Sequence, residues 1–282
     1  YDQYELLAKE NSYDWDYVDD SVIAQRDNET NITIYMDPDD ETPAAIEAIK
    51  SAVAMLKDQD ENGVFGRLEV EDVLVCDDDW KDNWKEYFKP MKIGEKLLIR
   101  PLWIDDYDAE GRAVLSIEPG LAFGSGGHNT TRLCLETLEK HVKNGDSVLD
   151  CGCGSGILSV ASLLMGADNA TGVDIDKLAV KTAIENGKMN NLGEPQLQFV
   201  CGDLADKVTK KYDVVVANIV ADIIILFSSQ VGEFLKDDGV FITSGIIEPR
   251  EEEVTKAFAD NNFEIVERYE DGGWLCFVCK KK

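Results

Sequence analysis

The stretch VLDCGCGSG, Val148 to Gly156, brings an apolar run to Asp150 and then sets glycines at 152, 154 and 156. Glycines at alternate positions let the chain turn tightly and let a ligand approach the main chain. Further on, Asp174 stands in TGVDID, where an acidic side chain can grip both hydroxyls of a ribose. The G-x-G-x-G spacing departs from the G-x-G-x-x-G of dinucleotide turns, and no Gly-Lys-Ser/Thr follows, which excludes a P-loop. Asp150 would repel a pyrophosphate, yet it attracts an ammonium or sulfonium, directly or through water. The ligand that combines a ribose, an amino acid and a positive sulfur is S-adenosylmethionine. Asp203, which closes VCGD, is placed to accept from an adenine amine, and Ile175 beside Asp174 joins the candidate cofactor set together with Gly152 and Gly154. Asn218 in VVVANIV offers both a donor and an acceptor on the same rim, so next to a methyl donor its carbonyl oxygen can orient an incoming amine. A plain tight turn at the glycines and a turn-forming asparagine are the alternatives.

These residues need a frame that puts strand ends side by side. From about residue 93, strands and helices alternate. KLLIRPLW and AVLSIEP read as strands and TTRLCLETLEKHV as a helix. DSVLDCG, ATGVDID, LQFVCGD, YDVVVANIV and GVFITSGI follow as further strands, with helices expected over 156–165, 177–190, 222–235 and 249–260. Nearly continuous apolar strands in a βαβ rhythm imply a parallel sheet covered on both faces. FEIVERYED and GWLCFVCK are separated only by Gly272-Gly273, and so short a turn permits only an antiparallel pair. The fold class is therefore α/β, a mostly parallel seven-stranded Rossmann-like sheet ending in an antiparallel hairpin. In such sheets the ligand lies beyond the carboxyl ends of the strands.

The N-terminal region has a different texture. NITIYMD (31–37) and GRLEVEDVLV (66–75) alternate as strands, and PAAIEAIKSAVAMLK repeats apolar residues at helical spacing. Residues 1–75 are read as a small α+β domain. A linker helix over 76–92 carries Trp80, Trp84 and Phe88 on one face, with Pro90 as its stop, and 93–282 form the large domain.

The chain of 282 residues carries 28 basic and 56 acidic side chains, a formal net charge of −28, so direct nucleic-acid binding is not expected, whereas a basic protein partner is. No apolar run reaches the ~18 residues of a membrane span and no signal-peptide pattern opens the chain; a cytoplasmic protein without membrane association is expected. The seven cysteines, scattered through apolar or glycine-rich segments, read as reduced structural thiols. Cys276 and Cys279 fall three apart on a strand, on opposite faces, and no metal site is expected. His141 is read as solvent-facing, and the role of His128 is left open between a ligand contact and a surface loop.

EPGLAFGSGGHNTTRLCLE, LDCGCGSGILSVAS, GVDID and DVVVANIV, in this order and spacing, resemble the bacterial methyltransferases of ribosomal protein L11 over about residues 76–282. The resemblance implies a class I methyltransferase domain joined by a flexible linker to a small substrate-recognition domain. It implies methyl transfer to lysine ε-amines, and to the α-amine, of a basic large-subunit ribosomal protein. Family cofactor contacts fall on Thr131, Gly152, Asp174 and Asn218, and Phe123 and Gly124 match the loop that covers the cofactor. Two departures stand out. The family's usual Thr-His-Pro-Thr-Thr is here Gly127-His128-Asn129-Thr130-Thr131, and the family's usual first strand and helix have no counterpart before Tyr1, so the N-terminal domain is expected to be incomplete. No dedicated general base is evident, so water is expected to carry the proton away while Asn218, the candidate catalytic residue, aims the nitrogen.

Other readings keep the fold and change the target, to a lysine of another protein or to a small-molecule amine. An NAD-binding oxidoreductase is opposed by the glycine spacing and the terminal hairpin. A non-catalytic binding module that keeps the cofactor needs no residue to be lost.

Overall fold

A computed structural model describes residues 42–60, 64–72, 88–118, 124, 126–203 and 207–282, together with Ile32, Ile34 and Met36. The chain divides into two compact units, Tyr1–Tyr87 and Phe88–Lys282.

In the first unit, helix α1 (Thr42–Gln59) forms where the apolar spacing predicts it. Lys50 on its surface pairs with Asp72 at 2.8 Å. The strand expected over 66–75 is not formed across its described part, 66–72. Gly66 and Leu68 take φ of 79° and 49°, and two left-handed residues interrupt an extended chain. Of the strand expected over 31–37, Ile32, Ile34 and Met36 are exposed and outside any strand, and the rest lies outside the described residues. So does most of the 76–92 linker, including Trp80 and Trp84; its described end runs straight from Pro90 into a strand.

The second unit opens with a three-stranded sheet. β1 (Met91–Ile93) pairs antiparallel with β2 (Leu97–Pro101), which pairs parallel with β3 (Ala113–Ile117). The turn between β1 and β2 uses Gly94 at φ 50°, and the amides of Glu95 and Lys96 both donate to the Glu139 carboxylate at 3.0 Å. Glu139 lies on α2 (Asn129–His141), so the small sheet is tied to a helix of the main layer.

The main sheet holds β4 (Ser147–Cys151), β5 (Asn169–Asp174), β6 (Leu197–Cys201), β7 (Tyr212–Asn218), β8 (Leu235–Ile247), β9 (Phe263–Asp271) and β10 (Trp274–Lys281). Their order is β6-β5-β4-β7-β8-β10-β9. The first five run parallel, and β10 runs antiparallel to both neighbours. The central strands are mostly apolar because both faces are covered, whereas the edge strand β9 alternates exposed residues with buried or half-buried ones. Val148, Val214, Val216 and Ile242 pack with α2 and α3 (Ile157–Leu164) on one side. Leu149, Val215, Phe241 and Phe277 pack on the other with α5 (Ala221–Ser228) and α7 (Glu251–Asp260), while α4 (Lys177–Met189) lies against β5, β6 and α3. Cys276 belongs to the first core and Cys279 to the second, so they face opposite ways.

The single helix expected over 222–235 is instead α5 and a four-residue α6 (Val231–Phe234). Ser228 and Ser229 end the first by donating their hydroxyls to the carbonyls of Ile225 and Leu226, at 2.6 and 2.9 Å. β8 then starts at Leu235, earlier than its apolar run suggests. No helix among the described residues is long and apolar enough to cross a membrane.

Candidate active site

Beyond the carboxyl ends of the parallel strands lies a cavity of ≈ 430 Å³, within the ~300–1,000 Å³ typical of small-molecule sites. Its floor is the turn after β4. Gly152, Gly154 and Gly156 have φ of 72°, 51° and 77°, a left-handed series that side chains resist. The turn is tied to β5, because Gly152 and Cys153 donate their amides to the Val173 carbonyl at 2.8 and 3.0 Å. Gly152 and Gly154 line the cavity. Gly156 serves packing instead, since a Cβ there would lie 2.7 Å from the Phe199 ring and 2.9 Å from Ala183.

Asp174 ends β5 on the cavity wall. One carboxylate oxygen accepts the Gly154 amide at 2.8 Å and the other the Asp176 amide at 2.9 Å. Each oxygen keeps a second acceptor position for a ribose hydroxyl. Ile175 and Asp203 complete this side, both exposed.

Across β4, Asn218 ends β7 and also faces the cavity. Its Nδ2 donates to Thr131 Oγ1 at 3.3 Å, and Thr131, in the first turn of α2, is fully buried and lines the same space. The next residue is tightly held. The Ile219 amide donates to the Ser244 carbonyl at 3.2 Å, while Gly245 passes so close that a Cβ would sit 2.2 Å from the Ile219 carbonyl oxygen. Gly124 also lines the cavity, its carbonyl accepting Ser155 Oγ at 2.6 Å; Phe123 lies outside the described residues.

Asp150 does not line the cavity. It is completely buried behind the turn, with Oδ2 accepting the Ser159 amide at 3.1 Å and hydroxyl at 2.7 Å, and Oδ1 without a hydrogen-bond partner among the described residues. Burial pushes its carboxyl up to about 7, against the Ser159 bonds that pull it down. His128 does not line it either: it caps α2 through Thr130 and sets its ring edge-on to Trp274, 5.0 Å between centroids. His141 is partly buried and bonded to Glu267 at 3.1 Å rather than simply facing solvent. The remaining lining is largely apolar, chiefly Ile157, Leu158, Ile219, Val220 and Ile223, none of them among the residues expected at the site from the sequence.

The described lining holds two carboxylates and no lysine, arginine or histidine. That suits a cation and disfavours a pyrophosphate. Left-handed glycines on the cavity floor, an aspartate with acceptor positions to spare and an acidic rim fit S-adenosylmethionine. A parallel sheet in this order, with a reversed strand before its last and this cavity on its rim, defines a class I S-adenosylmethionine-dependent methyltransferase. The particular family follows from comparison with known proteins. The model of the ribosomal protein L11 methyltransferase (PrmA) family matches residues 4–282, and the chain belongs to that family.

The ribosomal protein L11 methyltransferase of Clostridium perfringens is 38 % identical over 283 residues, spanning 100 % of this chain and 89 % of that protein. That of Caldanaerobacter subterraneus subsp. tengcongensis is 41 % identical over 269 residues, 95 % of this chain and 85 % of that protein. The crystal structure of ribosomal protein L11 methylase from Lactobacillus delbrueckii subsp. bulgaricus superposes with a TM-score of 0.66 at 30 % identity, covering 69 % of this chain and 100 % of that one. The chain is thus a protein methyltransferase.

Proposed function

We propose that this enzyme methylates lysine amines, and the α-amine, of ribosomal protein L11 in the cytoplasm, with Asn218 orienting the acceptor. The observation that carries this reading is the sharing of one cavity by Asp174 and Asp203 on one side of β4 and Asn218 on the other. When bound, S-adenosylmethionine supplies an electrophilic methyl group on a sulfonium. Asp174 would hold its ribose, Asp203 its adenine amine and Ile175 the face of the base, with Gly152 and Gly154 admitting it to the main chain.

The chain's task is alignment, which converts proximity into rate. Asn218, with Nδ2 held by Thr131, presents Oδ1 to the acceptor nitrogen. The amine must be neutral, and a free lysine has a pKa of ~10.4. The apolar lining desolvates it and so lowers that value. No histidine or lysine among the described lining residues stands near Asn218, and water takes the proton. The excess of acidic residues, 56 against 28 basic, favours encounter with a basic protein. We place recognition of that protein in residues 1–75, joined through 76–92.

The test is mass spectrometry of purified ribosomal protein L11 after incubation with the enzyme and S-adenosylmethionine. Successive methyl increments on amino groups are expected. An unmodified protein, under conditions where calorimetry shows the cofactor bound, overturns the assignment of substrate.

A further inference from the structure

The cavity has two chemically different ends. On the β5 side stand Asp174, Ile175 and Asp203; on the β7 side the described polar side chains are Asn218 and the Thr131 that holds it, and the rest is aliphatic, Ile219, Val220 and Ile223. That aliphatic wall continues out of the cavity along α5. Ala221, Ile224 and Phe227 turn inward and are at most 2 % exposed, whereas Val220, Ile223 and Leu226 are 49 %, 38 % and 56 % exposed. Residues three apart share a helix face, so these three form one outward stripe leading from Asn218 to open surface. Asp222, the one charged residue of α5, is paired with Arg250.

An aliphatic stripe that ends at an amide, inside a cavity whose charges among the described residues are carboxylates, matches one kind of side chain. A lysine has a four-carbon apolar stem and a polar head, and it lays the stem along apolar surface while its head stays with polar groups. We infer that Val220 and Ile223 take the alkyl stem of the acceptor lysine, and that Leu226 takes an apolar neighbour of that lysine in the protein substrate. Resting on the proposed function, this makes the three residues determinants of acceptor choice. The occupant is a lysine-bearing segment of a basic protein: the acidic cavity attracts its charge and the stripe covers its apolar part. The ribose and base of the cofactor are assigned to the β5 side, away from Ile223 and Leu226.

Two measurements test the inference. In the first, n-alkylamines of increasing length are titrated calorimetrically into the full-length enzyme saturated with S-adenosylhomocysteine. Affinity should rise about fourfold per methylene over the first few carbons, and the rise should flatten in Ile223→Ser. In the second, Leu226→Ser should raise KM for ribosomal protein L11 about fivefold, the scale of a half-buried leucine, with S-adenosylhomocysteine affinity and kcat held. Affinity independent of chain length in the wild type, or an unchanged KM in Leu226→Ser, overturns the inference. If ribosomal protein L11 is not methylated at all while the length dependence persists, the substrate assignment falls and the lysine wall stands.

Discussion

The amide of Asn218 is held from behind by Thr131, whose Oγ1 accepts Nδ2 at 3.3 Å from a fully buried position in the first turn of α2. An asparagine amide can flip, and this bond leaves the carbonyl oxygen to face the cavity. Asn218→Ala should therefore cut turnover far more than affinity for S-adenosylhomocysteine. Thr131→Val should lower kcat about tenfold, the worth of one buried hydrogen bond, and Thr131→Ser should restore most of it. Stopped-time assays of methyl transfer beside calorimetric affinities give both quantities. Equal losses of kcat and affinity in Asn218→Ala would refute the orienting role.

Asp174 ties the glycine turn to the start of α4 through one carboxylate, the one proposed to hold the ribose. In Asp174→Asn one oxygen becomes a donor facing a backbone amide or a ribose hydroxyl. Affinity for S-adenosylhomocysteine should fall roughly 10- to 100-fold, about 1.5–3 kcal/mol for a hydrogen bond to a charged group. Titration calorimetry reads this directly, and a loss under threefold would remove Asp174 from the ribose.

Ile219 is the point on which two glycines close. A Cβ at Gly245, φ 90°, would meet its carbonyl oxygen at 2.2 Å, and a Cβ at Gly152, φ 72°, would meet its Cγ2 at 2.3 Å. Backbone has less room to yield than a side chain. Gly245→Ala should destabilise the protein by about 2 kcal/mol or more, seen in urea unfolding. Gly152→Ala should lose less stability but more cofactor affinity, because Ile219 yields into the cavity. The opposite ranking would show that Ile219 is not the common obstacle.

Asp150 predicts a pH signature. Its folded-state pKa of about 7 lies above the ~3.9 of a free aspartate, so between those values the native state holds a proton that the unfolded chain has lost. Its contribution to stability is complete below pH ~4 and is lost as pH rises through 7. Asp150→Asn carries no such proton. The stability difference, wild type minus variant, should decline from pH 4 to 7 and level off above. Parallel curves for the two proteins would show that the carboxyl titrates normally.

The central strands of the main sheet were legible because coverage on both faces leaves them mostly apolar, and the final hairpin because Gly272-Gly273 leaves no length for a crossover. The three-residue β1 was not, since its place depends on Glu139, distant in sequence, holding the turn that follows. Nor was the break after α5, which depends on two serine hydroxyls. Asp174, Asp203 and Asn218 could be grouped around one cavity because strand ends in such a sheet share one rim. Asp150 could be found but not placed: strand side chains alternate, and it falls on the Val148 face toward Ser159, not on the rim. The lining aliphatics stayed hidden because Ile219, Val220 and Ile223 look like ordinary core at the start of a helix.

β10, the last strand in sequence, sits inside the sheet between β8 and β9. While the chain is being synthesised, everything through β8 can assemble, but β9 has no edge to join until residues 274–281 have cleared the ribosome. The β8 edge that β10 will occupy must therefore stay open until those residues emerge. The sheet closes by a single insertion, in which β10 joins β8 on one side and β9 on the other.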